Sequence, residues 1–169
     1  MDSSVMKTLL LLRHAKSSWT DATQTDHDRT LNNRGERDAP RMGQLVESEG
    51  LVPNCIVSST AVRARTTAEL VAENCGFEGE IQLARELYHA PPAAYFEVLA
   101  QLPTSCDIVL AVGHNPGIAE LLSQLTGVED SMPTAALAHI QLDIDIWDQF
   151  DRKCDAQLVE FWRPKDLPE

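Results

Sequence analysis

The sequence KTLLLLRHAKSSW, which runs from Lys7 to Trp19, decides the fold. Its four consecutive leucines stop at an arginine and a histidine, two groups that are costly to bury without partners. The leucine run is uniformly apolar rather than alternating, which is typical of a central strand covered on both faces. The pattern therefore predicts a buried strand over 7–12, and it suggests a catalytic site at Arg13 and His14, where the strand ends.

Two later segments repeat this pattern, NCIVSS over 54–59 and CDIVLAVGH over 106–114. Between the predicted strands, helices are expected over 34–49, 62–74, 93–102 and 117–125, with proline entries and glycine exits. Strands that alternate with helices predict an α/β fold, a three-layer sandwich with a mostly parallel central sheet and helices on both faces. The segments ALAHIQLDI and AQLVEFW flank a polar turn and predict a C-terminal hairpin at one edge.

The composition is that of an ordinary globular protein, with 169 residues, a hydrophobic share of 43% and a charged share of 24%. We expect residues 1–169 to form a single domain. No stretch reaches the ~20 apolar residues of a membrane span, and the first apolar run is too short for a secretory signal, so we expect a cytoplasmic protein. Four scattered cysteines without metal-ligand spacing predict reduced, buried thiols.

A formal net charge of −12 argues against binding to nucleic acid or to a membrane surface. An anionic ligand must therefore be held by a local positive cluster. The predicted strand ends supply one, because they lead to Arg13 and His14, to Arg63 and Arg65, and to His114. Each residue alone fits a solvated boundary, an exposed helix face or a turn, but in a parallel sheet these ends meet at one crevice.

This set of residues suits phosphate chemistry. Arginine binds a phosphoryl group bidentately and repels a metal cation, so we expect no metal. Because no glycine-rich nucleotide motif is present, we also expect no cofactor. A neutral histidine can attack phosphorus and form a covalent phosphohistidine. His14 is the better candidate for this nucleophile, since its position directly after a buried strand fixes its backbone.

Three segments in this order, LLLLRHAKSS, SSTAVRARTTAE and VGHNPGIAELL, resemble the histidine phosphatase superfamily, or phosphoglycerate mutase-like fold, and most closely its SixA-type phosphohistidine phosphatases. The similarity extends over residues 7–164. It implies that His14 is the phosphorylated nucleophile, that Arg13 and Arg63 bind phosphate, and that His114 polarises the phosphoryl oxygen. Ala15 departs from the family pattern, in which many members have glycine.

The resemblance also suggests a general acid. In many relatives a carboxylate protonates the leaving group, and the segment ARELYHA places Glu86 near that position. An exposed loop glutamate explains this residue equally well. The long polar loop over 17–33 offers three competitors, Asp21, Asp26 and Asp28.

The segment between Arg63 and His114 is filled by two predicted helices and a short strand, which leaves no room for a large cap over the site. An open phosphate pocket suits a phosphorylated protein side chain, such as phosphohistidine, or a small phosphoester. The alternatives are a general phosphomonoesterase, a mutase, which the missing cap disfavours, and a phosphate-binding regulatory module without turnover.

Overall fold

The computed structural model describes residues 6–168. Its helices and strands follow in this order along the chain: β1 (Lys7–Arg13), α1 (Asn33–Ser48), β2 (Cys55–Ser59), α2 (Val62–Cys75), β3 (Ile81–Ala84), α3 (Pro92–Leu99), β4 (Ile108–Gly113), α4 (Gly117–Thr126), β5 (Leu137–Leu142) and β6 (Ala156–Trp162). Short 3-10 turns lie at Arg85–Leu87, Trp147–Gln149 and Pro164–Asp166.

The six strands form one sheet in the order β3-β2-β4-β1-β5-β6. β3, β2, β4 and β1 are parallel to one another, whereas β5 runs antiparallel to β1 and pairs with β6 as an edge hairpin. The predicted mostly parallel sheet and C-terminal hairpin are therefore confirmed. The parallel strands bring the residues that follow β1, β2 and β4 to the same edge of the sheet.

The leucines of β1 face two separate cores. Leu9 and Leu11 belong to a core that includes residues of α3 and α4, and Leu10 and Leu12 to one that includes residues of α1 and α2. All four side chains are fully buried, which contributes roughly 1.5–3 kcal/mol each. This arrangement explains why the strand is apolar without alternation, and it confirms the three-layer sandwich.

The helix ends follow their local signals. Asn32 caps α1 by accepting a hydrogen bond from the Gly35 backbone, and left-handed glycines end α2 and α4 at Gly76 and Gly127. α3 stops at Leu99, earlier than predicted, and a short turn follows. Among residues 6–168, no helix combines the length and apolar character needed to cross a membrane.

The cysteines correct one expectation. Cys55 and Cys106 are joined by a disulfide with a Cα–Cα distance of 5.8 Å, whereas all four thiols were expected to be reduced. The two residues lie at the amino-terminal ends of the neighbouring strands β2 and β4, a proximity that only the sheet order creates. Cys75 and Cys154 are free thiols.

Candidate active site

A cavity of about 200 Å³ lies where the carboxyl ends of β1, β2 and β4 converge. Four of the residues singled out from the sequence line it together, namely Arg13, His14, Arg63 and His114. The rest of the lining consists of Lys16, Ser17, Trp19, Asp26, Arg29, His89, Asn115 and Thr134. Four of these twelve side chains are arginine or lysine, and Asp26 is the one carboxylate among them. The cavity is therefore a local positive site on an acidic chain.

The backbone of His14 is held from both sides. Its N–H donates to the Gly113 carbonyl at 3.1 Å, and the next N–H, that of Ala15, donates to Thr67 Oγ1 at 2.9 Å. Ala15 is fully buried and does not have a positive φ, so alanine in place of the family's glycine imposes no backbone strain there. The imidazole is therefore presented from a rigid backbone.

The His14 ring has a defined tautomer. Nδ1 lies 2.8 Å from the Ala15 carbonyl oxygen, which can only accept, so Nδ1 carries the proton and Nε2 keeps its lone pair. Burial lowers the pKa of His14 to about 3, and the charges of Arg63 and Arg13 act in the same direction against the hydrogen bond to Ala15. At neutral pH the ring is therefore uncharged.

His114 lies beside His14, with a distance of 5.1 Å between the two ring centroids. Its Nε2 is 2.8 Å from Ser59 Oγ, and its Nδ1 is buried without a hydrogen-bond partner among the described residues. Burial lowers the pKa of His114 to about 2, followed by the influence of His14 and Arg63. His14 and His114 are thus both neutral above acidic pH.

Two guanidinium groups complete the cluster. Arg63, on the first turn of α2, is buried and donates to the Asp26 carbonyl at 2.6 Å and to Asp26 Oδ2 at 3.1 Å. Arg13 donates to the Met132 carbonyl at 3.1 Å. Within residues 6–168 the Nε atoms of both arginines are buried and unpartnered, so each retains a donor for an anion.

The polar loop before α1 folds over the pocket, and it contributes Arg29, a residue that sequence reasoning missed. Arg29 donates to Ser17 and to Asp26, and its guanidinium lies 3.5 Å from the centre of the Trp19 ring. The loop is fastened to the start of α2 by the Val62 N–H, which donates to a loop carbonyl. The signal available in the sequence was the i,i+3 spacing of Asp26 and Arg29.

Asp26, one of the three competing loop aspartates, is the carboxylate that reaches the pocket. Its Oδ2 accepts hydrogen bonds from Tyr88 at 2.5 Å, from His89 Nε2 at 2.9 Å and from Arg63 at 3.1 Å. Burial raises the pKa of Asp26, but the bond from Tyr88 and the charge of Arg63 outweigh it and hold that pKa well below its usual range. Asp26 is therefore ionised at neutral pH and cannot itself donate a proton.

The structure does not bring Glu86 to the pocket, in contrast to its expected role as general acid. Glu86 is exposed on the 3-10 turn after β3 and does not line the cavity. Leu87, its neighbour on the same turn, is fully buried and anchors the turn in the core. Asp21 and Asp28 are also exposed and outside the cavity lining.

Comparison of the sequence with known proteins finds relatives along most of the chain. The family model of the histidine phosphatase superfamily (branch 1) matches residues 9–88. An uncharacterized chloroplastic protein of Arabidopsis thaliana is 33% identical over 156 residues, which cover 87% of this chain and 72% of that protein. An uncharacterized protein of Mycobacterium tuberculosis is 29% identical over 165 residues, 91% of this chain and 100% of its own.

Solved structures share the whole architecture. A protein assigned as the phosphohistidine phosphatase SixA of Nakamurella multipartitia superposes with a TM-score of 0.83 at 26% identity, over 96% of this chain and 99% of its own. Its counterpart from Agrobacterium tumefaciens gives a TM-score of 0.80 at 28% identity, over 94% and 98% of the two chains. The chain therefore belongs to the histidine phosphatase superfamily, with the fold of its SixA-type phosphohistidine phosphatases.

Proposed function

We propose that this protein removes phosphate from phosphohistidine, or from another exposed phosphorylated side chain, through a covalent intermediate on His14. The chain is a hydrolase acting on phosphoryl groups. The observation that carries the finer proposal is the neutral His14 ring, whose Nε2 lone pair is free in a cavity lined by three guanidinium groups, those of Arg13, Arg29 and Arg63. In this proposal residues 1–169 act as one domain without a large cap.

In the first step, Arg13, Arg63 and His114 bind the phosphoryl oxygens and His14 Nε2 attacks phosphorus in line. The bond from phosphorus to the leaving group breaks as the bond to Nε2 forms, and the electron pair leaves with the leaving group. The two guanidiniums neutralise charge on the phosphoryl oxygens, and the buried site strengthens this attraction. The rigid backbone of His14 keeps the attacking atom in place.

In the second step, water attacks the phosphorus of phospho-His14, and the electron pair of the P–N bond returns to Nε2. Inorganic phosphate leaves the cavity, and His14 regains its neutral form because its pKa lies far below neutral pH. The proposal assigns no metal or cofactor to either step.

The shape of the site supports a macromolecular substrate. The cavity of about 200 Å³ accommodates a phosphoryl group and little more, so the rest of a substrate stays outside it. At its rim, Trp19 is 72% exposed. A phosphorylated side chain on the surface of another protein meets these conditions, whereas nucleic acid and membranes do not suit a chain of charge −12. A cytoplasmic location is part of the same proposal.

The test compares three substrates at equal concentration: a histidine-phosphorylated protein, p-nitrophenyl phosphate and an alkyl phosphate. We expect the native chain to dephosphorylate the phosphohistidine protein with the highest kcat/KM. Rapid hydrolysis of the alkyl phosphate with the phosphohistidine protein left intact would instead assign a general phosphomonoesterase. Tight binding of phosphate without any turnover would assign a regulatory module.

A further inference from the structure

We propose that His89 is the catalytic residue that protonates the leaving group, and that Asp26 is the positioning residue that orients its ring. The inference rests on the proposed function, because it assumes phosphoryl transfer to His14. The residues already assigned leave this task open, since His14 attacks phosphorus while Arg13, Arg63 and His114 hold the phosphoryl oxygens.

His89 occupies a suitable place. It lines the same cavity as His14, and its ring centroid lies 5.7 Å from that of His114 and 4.1 Å from that of Tyr88. His14 and His89 therefore both flank His114. The side chain of His89 is 55% exposed, which places it at the mouth, where the leaving group of a bound substrate must lie when the phosphoryl group fills the interior.

Asp26 determines which nitrogen of His89 exchanges a proton. The Asp26 carboxylate can only accept, so His89 Nε2, 2.9 Å away, carries a hydrogen and donates it. Nδ1 is then the nitrogen that gains and releases a proton. Asp26 is itself fixed by Tyr88, Arg63 and Arg29, so the ring is oriented by a carboxylate that cannot turn away.

The backbone at His89 gives an independent observation. Its φ is +51°, in the left-handed region that residues with a side chain seldom adopt. In residues 6–168 the other non-glycine with a positive φ is Ala135, which donates to the backbone carbonyls of Arg13 and His14. Both unusual conformations thus occur next to the cavity. Strained backbone conformations of this kind concentrate at active sites.

The other groups that could hold a proton near the cavity do not fit this task. Asp26 is ionised, and Glu86 is exposed outside the cavity. The Tyr88 hydroxyl already donates to Asp26, and burial raises its pKa. An imidazole suits the task best, because it gains and loses a proton near neutrality.

The proton balance closes over the two steps. As His14 Nε2 bonds to phosphorus, the leaving oxygen or nitrogen takes the electron pair of the broken bond and a proton from the His89 imidazolium. Neutral His89 then accepts a proton from the water that attacks phospho-His14. Phosphate departs, the P–N electron pair returns to His14, and His89 is again protonated.

The decisive variants are His89→Asn and His89→Gln. Asparagine tolerates the left-handed conformation, so His89→Asn removes the proton donor while preserving the backbone, and His89→Gln gives a second side chain of different shape. His139→Gln is the control, since His139 lies on β5 and stacks against Trp162 outside the cavity. Circular dichroism and urea unfolding verify that each variant is folded.

Each variant is assayed on a series of phosphate monoesters with leaving groups of increasing basicity, from p-nitrophenol to an alcohol. We expect both His89 variants to lose about 10²- to 10⁴-fold in kcat/KM on the alkyl ester and less than about 10-fold on p-nitrophenyl phosphate, whose leaving group departs without a proton. His139→Gln should match the native enzyme throughout. An equal loss across the series, or no loss, would overturn the role of His89.

Asp26→Asn separates a positioning role from a structural one through the pH profile of kcat/KM on the alkyl ester. The charged or titratable groups around His89 are Asp26, Tyr88, His114 and Arg63. Loss of the carboxylate charge disfavours a cation beside it, so the alkaline limb should move to lower pH. An unmoved limb contradicts the pairing. Absence of an acid-labile phosphoenzyme in the native chain would refute the proposed function instead.

Discussion

His14 is 6% exposed, and burial is the main reason why its pKa falls to about 3. An imidazole in water is mostly neutral at pH 8 without any lowering of its pKa. Near pH 6, however, most free imidazole side chains are protonated and cannot attack phosphorus. The pocket thus keeps His14 uncharged over a wide pH range, as its proposed role as nucleophile requires. Burial is the main cause, and the guanidiniums of Arg63, Arg13 and Arg29 lower the pKa of His14 further because they repel a proton. The same charges attract a phosphoryl group.

Removal of this imidazole should abolish turnover. We expect His14→Ala to reduce kcat by several orders of magnitude while the far-ultraviolet circular dichroism is unchanged, because the backbone of β1 is held by its neighbours. A labelled substrate should leave an acid-labile phosphoenzyme on the native chain and none on the variant. Residual activity above about 10% of native would refute the nucleophile assignment.

Arg63 and Arg65 form a matched pair for testing phosphate binding. Residues two apart on a helix point about 200° apart, and in α2 Arg63 is buried at the cavity while Arg65 is exposed. We expect Arg63→Ala to weaken inhibition by vanadate or phosphate by about 10-fold or more, since hydrogen bonds to charged groups contribute roughly 1.5–3 kcal/mol. Arg65→Ala should have a much smaller effect. Equal inhibition constants in the two variants would contradict the assignment.

At the scale of elements, the end of β4 packs against α3 beside the cavity. Gly113, the last residue of β4, leaves room for the Tyr95 hydroxyl of α3, which accepts a hydrogen bond from the His114 N–H at 3.4 Å. A Cβ at this glycine would overlap the Tyr95 hydroxyl oxygen. The absence of a side chain at one position therefore lets the β4 end and α3 pack together beside the active site.

We therefore expect Gly113→Ala to destabilise the fold by about 1–3 kcal/mol, as other overpacked cores do, and to lower kcat because His114 shifts. Adding Tyr95→Phe removes the closest clashing atom, although the ring carbon Cζ would still lie at 2.9 Å. The double variant should recover part of the lost free energy of unfolding in urea. Equal free energies of unfolding for Gly113→Ala and the native chain would contradict this prediction, because they would show that Tyr95 moves aside without loss of stability.

At the scale of the molecule, the positive cluster lies on a chain with a formal net charge of −12. The two buried histidines link this site to the stability of the whole fold. Both are neutral in the folded state, whereas their unfolded forms take up a proton below about pH 6.5. The two histidines should therefore leave the free energy of unfolding undiminished above about pH 6.5. Below that pH they should lower it progressively, because the unfolded chain binds protons that the folded chain does not.

From pH 7 to pH 5 we expect the free energy of unfolding to fall by about 2 kcal/mol for each of the two histidines. Asp26 does not contribute in this interval, because its lowered pKa affects stability only below its usual value of 3.8. Urea unfolding at several pH values measures the slope. In His14→Ala the fall should be smaller by about 2 kcal/mol, and an identical slope would contradict the neutral, buried state of His14.

A count of free thiols tests the disulfide between Cys55 and Cys106. Acid quenching, denaturation without reductant, alkylation of the denatured chain and intact mass measurement should label two of the four cysteines, Cys75 and Cys154. Reduction before alkylation should raise the count to four. Four labelled thiols without reduction would contradict the bond between Cys55 and Cys106, and would favour the proposed cytoplasmic location.

Much of the fold could be predicted because its signals are local. A strand covered on both faces must be apolar at every position, as in Leu9–Leu12, and a helix that ends in the left-handed region needs a glycine, as at Gly127. The parallel order of strands then places Arg13, His14, Arg63 and His114 at one edge. These four residues could be selected from the sequence, since each lies at the end of a predicted strand or in the first turn of a predicted helix.

Only the tertiary structure decided which side chains complete the site. Asp26 and His89 are 63 residues apart, and they meet because the loop before α1 docks on the start of α2. The burial of Leu87 leaves Glu86 exposed, and sheet order pairs Cys55 with Cys106. None of these contacts has a local signature, because each results from packing between segments whose separation along the chain carries no information about distance in space.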